Sequence, residues 1–219
     1  MKILVINPIG DDSWNESDRR FFSSVACPTT SVEVVSLDEG PPSVETLKDY
    51  EYVKPLVIDL ALKTHIEYDG LIVNCFLDPG VDELKELIDK PVVGPGEASL
   101  AFGSIFGGRL GIVSIESEAL KLIEERCSML GYKEKVVSIR GIKTHVVDLV
   151  KDWEKVKIEL IEESRKAIED GAEVVILGCT GLAGLGKIVS ETIHKPVIDP
   201  AAAALKMVES LVSLGLGRV

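Results

Sequence analysis

The chain has 219 residues, 46% hydrophobic and 27% charged, which are the proportions of a folded globular protein and exclude a mainly disordered one. Its 24 basic and 36 acidic side chains leave a net charge of −12, a balance that repels nucleic-acid phosphates and anionic membranes. Apolar runs stop far short of the ~18–20 residues a membrane helix needs, and MKILVINP contains no stretch of signal-peptide length, so the expected compartment is the cytoplasm.

Taken in order, the chain alternates strand and helix patterns. Residues 2–7 (KILVIN) form a short buried-strand run and 32–37 (VEVVSL) a second strand. Leu47, Tyr50, Val53, Val57, Leu60 and Ala61 recur at helical spacing, with Pro55 expected to kink that helix or start its regular part. A strand over 71–74 runs into Cys75, a short helix covers 79–88, and a brief strand at 92–93 meets the sharp turn Gly94-Pro95-Gly96. The segment FGSIFGGRLG is expected to link two halves.

The pattern then restarts. It predicts strands over 110–114, 136–139, 174–177 and 197–198, and helices along 119–130, 153–168, 185–193 and from Pro200 to about Leu214. Strands alternating with helices imply parallel sheets covered by helices.

Aligned, the halves repeat. KILVIN answers RLGIVS, VVSL answers VVSI, YDGLIVNC answers GAEVVILGC, and KPVVGPGEA answers KPVIDPAAA, at offsets of 102 to 107 positions. The expected architecture is two similar parallel-sheet α/β lobes related by a pseudo-two-fold axis, with the active site between them. Residues 1–95 and the C-terminal segment 201–219 form the first lobe, and 96–200 form the second.

The repeat gives two of the four cysteines a meaning. Cys75 and Cys179 occupy equivalent places, each at the carboxyl end of a central strand, where parallel sheets bind ligands. A following helix N-terminus is expected to lower a thiol's pKa toward neutrality. Facing thiols on either side of one small molecule suit two-base proton transfer. Cys127 lies on an apolar helix face and reads as core, and Cys27 lies in a polar loop. No cysteine pair has CxxC spacing and His65, His145 and His194 are isolated, so no metal site is expected.

Two motifs carry a family resemblance. Cys75-Phe76-Leu77-Asp78-Pro79-Gly80 and Leu177-Gly178-Cys179-Thr180-Gly181-Leu182-Ala183-Gly184, with INP at 6–8 and Pro196–Asp199, resemble the aspartate/glutamate/hydantoin racemase superfamily over the whole chain, its hydantoin racemase branch above all. That resemblance implies a cofactor-independent racemase or epimerase acting beside a carbonyl, with Cys75 and Cys179 as its acid–base pair. It implies Asn7, Phe76, Ser114, Thr180 and Gly181 as substrate-binding residues, and a homo-oligomer. Glu97 reads equally as a cleft residue or a surface one. Apolar Phe76 and the Asn7-Pro8 pair leave few groups for a free amino acid's charges, which favours a 5-substituted hydantoin or allantoin ring. Thr180 resembles glutamate racemases more closely, so an aspartate/glutamate-type racemase stays open. So do a maleate isomerase, an arylmalonate decarboxylase-like enzyme and a two-lobe small-molecule binding protein.

Overall fold

The structure, a computed structural model, describes residues 1–217; residues 218 and 219 of the segment expected in the first lobe lie outside it. Two four-stranded sheets organise the chain. The first is built from β1 (Lys2–Asn7), β2 (Ser31–Ser36), β3 (Gly70–Val73) and β4 (Val92–Val93), ordered β2-β1-β3-β4 and wholly parallel. The second repeats that order with β5 (Leu110–Ile115), β6 (Val136–Ile142), β7 (Val174–Leu177) and β8 (Val197–Ile198), as β6-β5-β7-β8. Ile6 pairs with Val73 and Val113 with Leu177, so the chain leaves both central strand pairs at matching heights.

The central strands β1, β3, β5 and β7 are buried on both faces, which their unbroken Val/Ile/Leu runs require. Helices α1 (Asn15–Val25), α2 (Leu47–Thr64) and α3 (Val81–Leu87) belong to the first half, and α5 (Ala119–Met129), α6 (Trp153–Glu169) and α7 (Gly186–Ile193) to the second. Thr46 opens α2 with a reciprocal cap, its hydroxyl taking the Asp49 N–H while the Asp49 carboxylate takes the Thr46 N–H. Pro55 neither ends nor begins α2: it lies inside the helix on the exposed side, where water can serve the carbonyl its missing N–H frees.

Two helices cross between the sheets. After β4 the chain forms α4 (Pro95–Phe106), whose Leu100 packs with Leu110, Ile112, Val174 and Ile176 of the second sheet. After β8, α8 (Pro200–Ser213) sets Ala201, Ala204, Leu205 and Val208 against Ile3, Val5 and Ile72 of the first. The expected Gly94–Gly96 turn and much of the expected linker are therefore α4. Its Pro at the first helical position and the parallel with Pro200 are the signals that mark it. Helix α1 forms where no strand or helix is expected; it buries Asp18 and Phe22 and packs Phe21 and Val25 on the core beside α8.

Candidate active site

Sheet order places the site. In each sheet the chain turns to one side of the first strand and then to the other, so a crevice opens at the carboxyl ends of β1 and β3 and again at those of β5 and β7. The two crevices form one cleft. It is lined from the first half by Asn7, Pro8, Ile9, Trp14, Asp18, the loop 42–45 and residues 74–77, and from the second by Ser114, Ile115, Ser117, Ala119, Ile123, Val146 and residues 178–181. Cys75, Cys179, Asn7, Phe76, Ser114, Thr180 and Gly181 all line it. Glu97 does not. It takes the Gly94 N–H at 3.2 Å at the start of α4 and pairs with Lys85. Cys127 is a buried core residue and Cys27 is exposed.

Both cysteines are partly exposed and line the cleft. The expected lowering of their pKa is corrected by the structure. Burial pushes both Cys75 and Cys179 up to about 12, and the opposing pull comes from few backbone N–H groups: Leu77 at Cys75, Gly181 and Leu182 at Cys179. The physical reason is local. Cys75 is separated from the seven-residue α3 by the Leu77–Gly80 turn, and Cys179 is followed only by a single 3₁₀ turn, Thr180–Leu182. Neither supplies the aligned peptide dipoles of a long helix.

The residues around the thiols are held firmly. Asp78, buried and in the left-handed region at φ 53°, accepts N–H bonds from Gly96 (2.8 Å) and Glu97 (2.9 Å) at the start of α4. Arg126 of α5 reaches Asp78 at 3.2 Å and also pairs with Asp82, tying the second half to the Cys75 loop. Burial raises Asp78's pKa, while Arg126 and the two N–H groups act the other way. Across the cleft the Thr180 hydroxyl donates to the Asn74 carbonyl at 3.1 Å, and within the second half Ser114 Oγ donates to the Gly178 carbonyl at 2.8 Å.

Sequence reasoning missed Asp18, Asn74 and Glu45. Asp18 sits on the unforeseen α1, and Glu45 belongs to a loop with no pattern to read. Asn74 alone carries a signal, as a polar residue ending an apolar strand directly before Cys75. Burial raises Asp18 to about 6, against hydrogen bonds from Asn7 and Asn74. The cleft lining holds two carboxylates, Asp18 and Glu45, and no Lys, Arg or His among the described residues. Among the described residues no group of three His, Cys, Asp or Glu is arranged to hold a metal, and no helix is long and apolar enough to cross a membrane.

Comparison with known proteins finds the same fold and a family. A profile described as Asp/Glu/Hydantoin racemase matches residues 3–208. The hydantoin racemase of Paenarthrobacter aurescens is 33% identical over 98% of this chain and 92% of its own length. The allantoin racemase structure from Pseudomonas fluorescens superposes with a TM-score of 0.95 at 30% identity, covering 100% of this chain and 94% of that one. For the allantoin racemase from Klebsiella pneumoniae the values are 0.94, 29%, 100% and 90%.

Proposed function

From the premise that the chain belongs to the Asp/Glu/Hydantoin racemase family, and is an isomerase, we propose that it interconverts the enantiomers of a 5-substituted hydantoin or of allantoin by proton transfer between two cysteines. One observation carries the reading: two strand-end thiols open onto a single cleft whose described lining contains no cationic side chain. A substrate bearing a free α-carboxylate would be buried there opposite two acids without a counter-ion, at a cost of several kcal/mol. A neutral ring avoids that cost.

In this reading one cysteine, as thiolate, removes the hydrogen from the ring carbon between a nitrogen and a carbonyl. The electron pair of the broken C–H bond delocalises onto that carbonyl oxygen as an enolate. The opposing thiol then delivers its own proton to the other face, and the two sulfurs end with their charges exchanged. The N–H groups of Leu77, Gly181 and Leu182 stabilise whichever sulfur is anionic. Asn7, Phe76, Ser114, Thr180 and Gly181 shape and bind, and Val44, Ile115, Ile123 and Val146 offer an apolar wall to the 5-substituent.

Incubating the protein with one enantiomer of 5-benzylhydantoin or allantoin in deuterium oxide tests this, with the rate compared to the uncatalysed one. Loss of optical rotation with deuterium at the chiral carbon supports the proposal. Racemisation of L-glutamate alone, release of carbon dioxide from an arylmalonate, or binding without turnover would each overturn it.

A further inference from the structure

The whole chain contains three asparagines and no glutamine, and all three asparagines meet around one buried carboxyl. Asn7 Nδ2 donates to Asp18 Oδ2 and to Asn15 Oδ1, each at 2.9 Å. Asn74 Nδ2 donates to Asn7 Oδ1 at 2.8 Å and to Asp18 Oδ2 at 3.3 Å. Ser36 Oγ donates to Asn15 Oδ1 at 2.8 Å. These bonds assign the amide orientations, because a carboxylate beside two amides must receive their N–H groups. Both N–H groups of Asn7 and of Asn74 are thereby used.

What remains on this wall is acceptors. Asp18 is 9% exposed and lines the cleft, and no described group donates to its Oδ1. Asn74, 6% exposed and also lining the cleft, leaves its Oδ1 buried without a partner. Leaving the Asn74 acceptor buried without a donor costs roughly 1–3 kcal/mol, and both amides spend their N–H groups on orienting the Asp18 carboxylate, whose second oxygen stays free. Nothing in the proton transfer between the thiols uses it.

We infer that Asp18 is a substrate-binding residue whose Oδ1 accepts an N–H of the substrate, with Asn7 and Asn74 holding the carboxylate in place. The assignment rests on the ring-racemase reading and deepens it. The wall presents an open acceptor, Asp18 Oδ1, to a ligand that must bring a donor, as hydantoins and ureides do. A carbonyl or carboxylate oxygen finds no partner there. Glu45, hydrogen-bonded by Ser43 and facing His145 at 3.4 Å, is the other acid of the cleft and is already partnered.

The test measures binding by calorimetry on protein carrying Cys75→Ser and Cys179→Ser, so that turnover does not intervene. The probes are 5-benzylhydantoin, its 1-methyl and 3-methyl derivatives, and L-glutamate. A hydrogen bond to a charged acceptor predicts that one of the two N-methyl derivatives binds about ten-fold or more weakly than the parent. With Asp18→Asn added, or Asp18→Ala should the first variant not fold, that penalty should fall to within about three-fold. A penalty unchanged in the Asp18 variant is steric and overturns the inference, as does tolerance of both methyl groups by the unvaried cleft. Binding of L-glutamate with no binding of any hydantoin is a separate outcome: it removes the ring-racemase reading, and this assignment with it.

Discussion

The two cysteine loops occupy equivalent places in the repeat but are secured by carboxylates of opposite origin. In the first half the carboxylate belongs to the loop: Asp78, three residues after Cys75, takes the N–H groups of Gly96 and Glu97 at the start of α4. In the second half it belongs to the helix: Asp199, the cap of α8, takes the N–H of Gly184 at 2.6 Å and that of Ala202 at 3.2 Å. Gly94 is the repeat partner of Asp199, and a side chain added there would overlap the carboxylate of Asp78. Each loop-to-helix junction thus has room for one carboxylate. The repeat keeps the tie and moves the residue that makes it. The first tie is also reinforced across the halves by Arg126, whereas the second has no such cation among the described residues.

The same asymmetry appears one step before each thiol. Asn74 joins the amide network, while its counterpart Gly178 leaves space filled by Ser114, whose Cβ an added methyl would approach to 2.7 Å. One wall therefore carries the acceptors and the other a small hydroxyl already donated to the neighbouring Gly178 carbonyl. In the proposed reaction the two pseudo-symmetric thiols would then face an unsymmetric ring held in one orientation by that wall.

The thiols themselves should show the least asymmetry and the largest effect. Because every turnover in the proposed reaction needs both a base and an acid, Cys75→Ala and Cys179→Ala should each lower kcat by at least ~10²–10⁴-fold in both directions. Wild-type racemisation rates in either variant, followed by polarimetry, would end the two-base proposal.

Stability should separate the two ties. Arg126→Ala leaves Asp78 buried without its cation and should destabilise by about 3–5 kcal/mol in denaturant unfolding. Asp199→Ala removes a helix cap and should cost about 1–2 kcal/mol. Equal losses would contradict the comparison. Gly94→Ala should behave like a weaker Arg126 lesion, since it displaces the Asp78 carboxylate without removing it.

A pH profile probes the thiols and Asp18 together. Raised to about 12, both thiols are protonated at neutral pH, and the reactive form is the one that has lost a single proton. Consequently kcat/KM should rise with pH above neutrality, and any fall should follow ionisation of the substrate's own imide N–H and not of the second thiol. Affinity for an N–H substrate should weaken as pH falls through about 6, where Asp18 takes up a proton, loses its charge and its free oxygen becomes a donor. The smallest effects belong to the cysteines outside the cleft. Cys127→Ala should leave turnover within a few-fold and lower stability by about 1 kcal/mol through a small cavity, and Cys27→Ala should leave turnover unchanged while losing the thiol's hydrogen bond to buried Glu209.

Much of the fold is legible in the chain because it is written in local pattern. Apolar runs of four to six residues, preceded by Asp-Gly at 69–70 and 170–171 and followed by Asn74-Cys75 or Gly178-Cys179, set the limits of β3 and β7, and the repeat locates Cys75 and Cys179 at strand ends. Helix α4 is hidden because Gly94-Pro95-Gly96 looks like a turn when taken alone; only its alignment with Asp199-Pro200-Ala201 marks Pro95 as a helix start. The thiol environment is hidden for another reason. Position at a strand end says where a sulfur lies, but its pKa depends on how many N–H groups reach it and how much water the opposite wall excludes.

By itself, then, the sequence determined the α/β alternation, the internal repeat and the equivalence of the two cysteines, since hydrophobic periodicity and motif order are properties of neighbouring residues. The tertiary structure decided the rest. Asn7, Asn15, Asp18 and Asn74 meet, and Arg126 reaches Asp78, through parallel pairing and helix exchange that join residues up to 67 positions apart. No local pattern encodes such contacts, because the burial that makes them strong exists only once both sheets have packed.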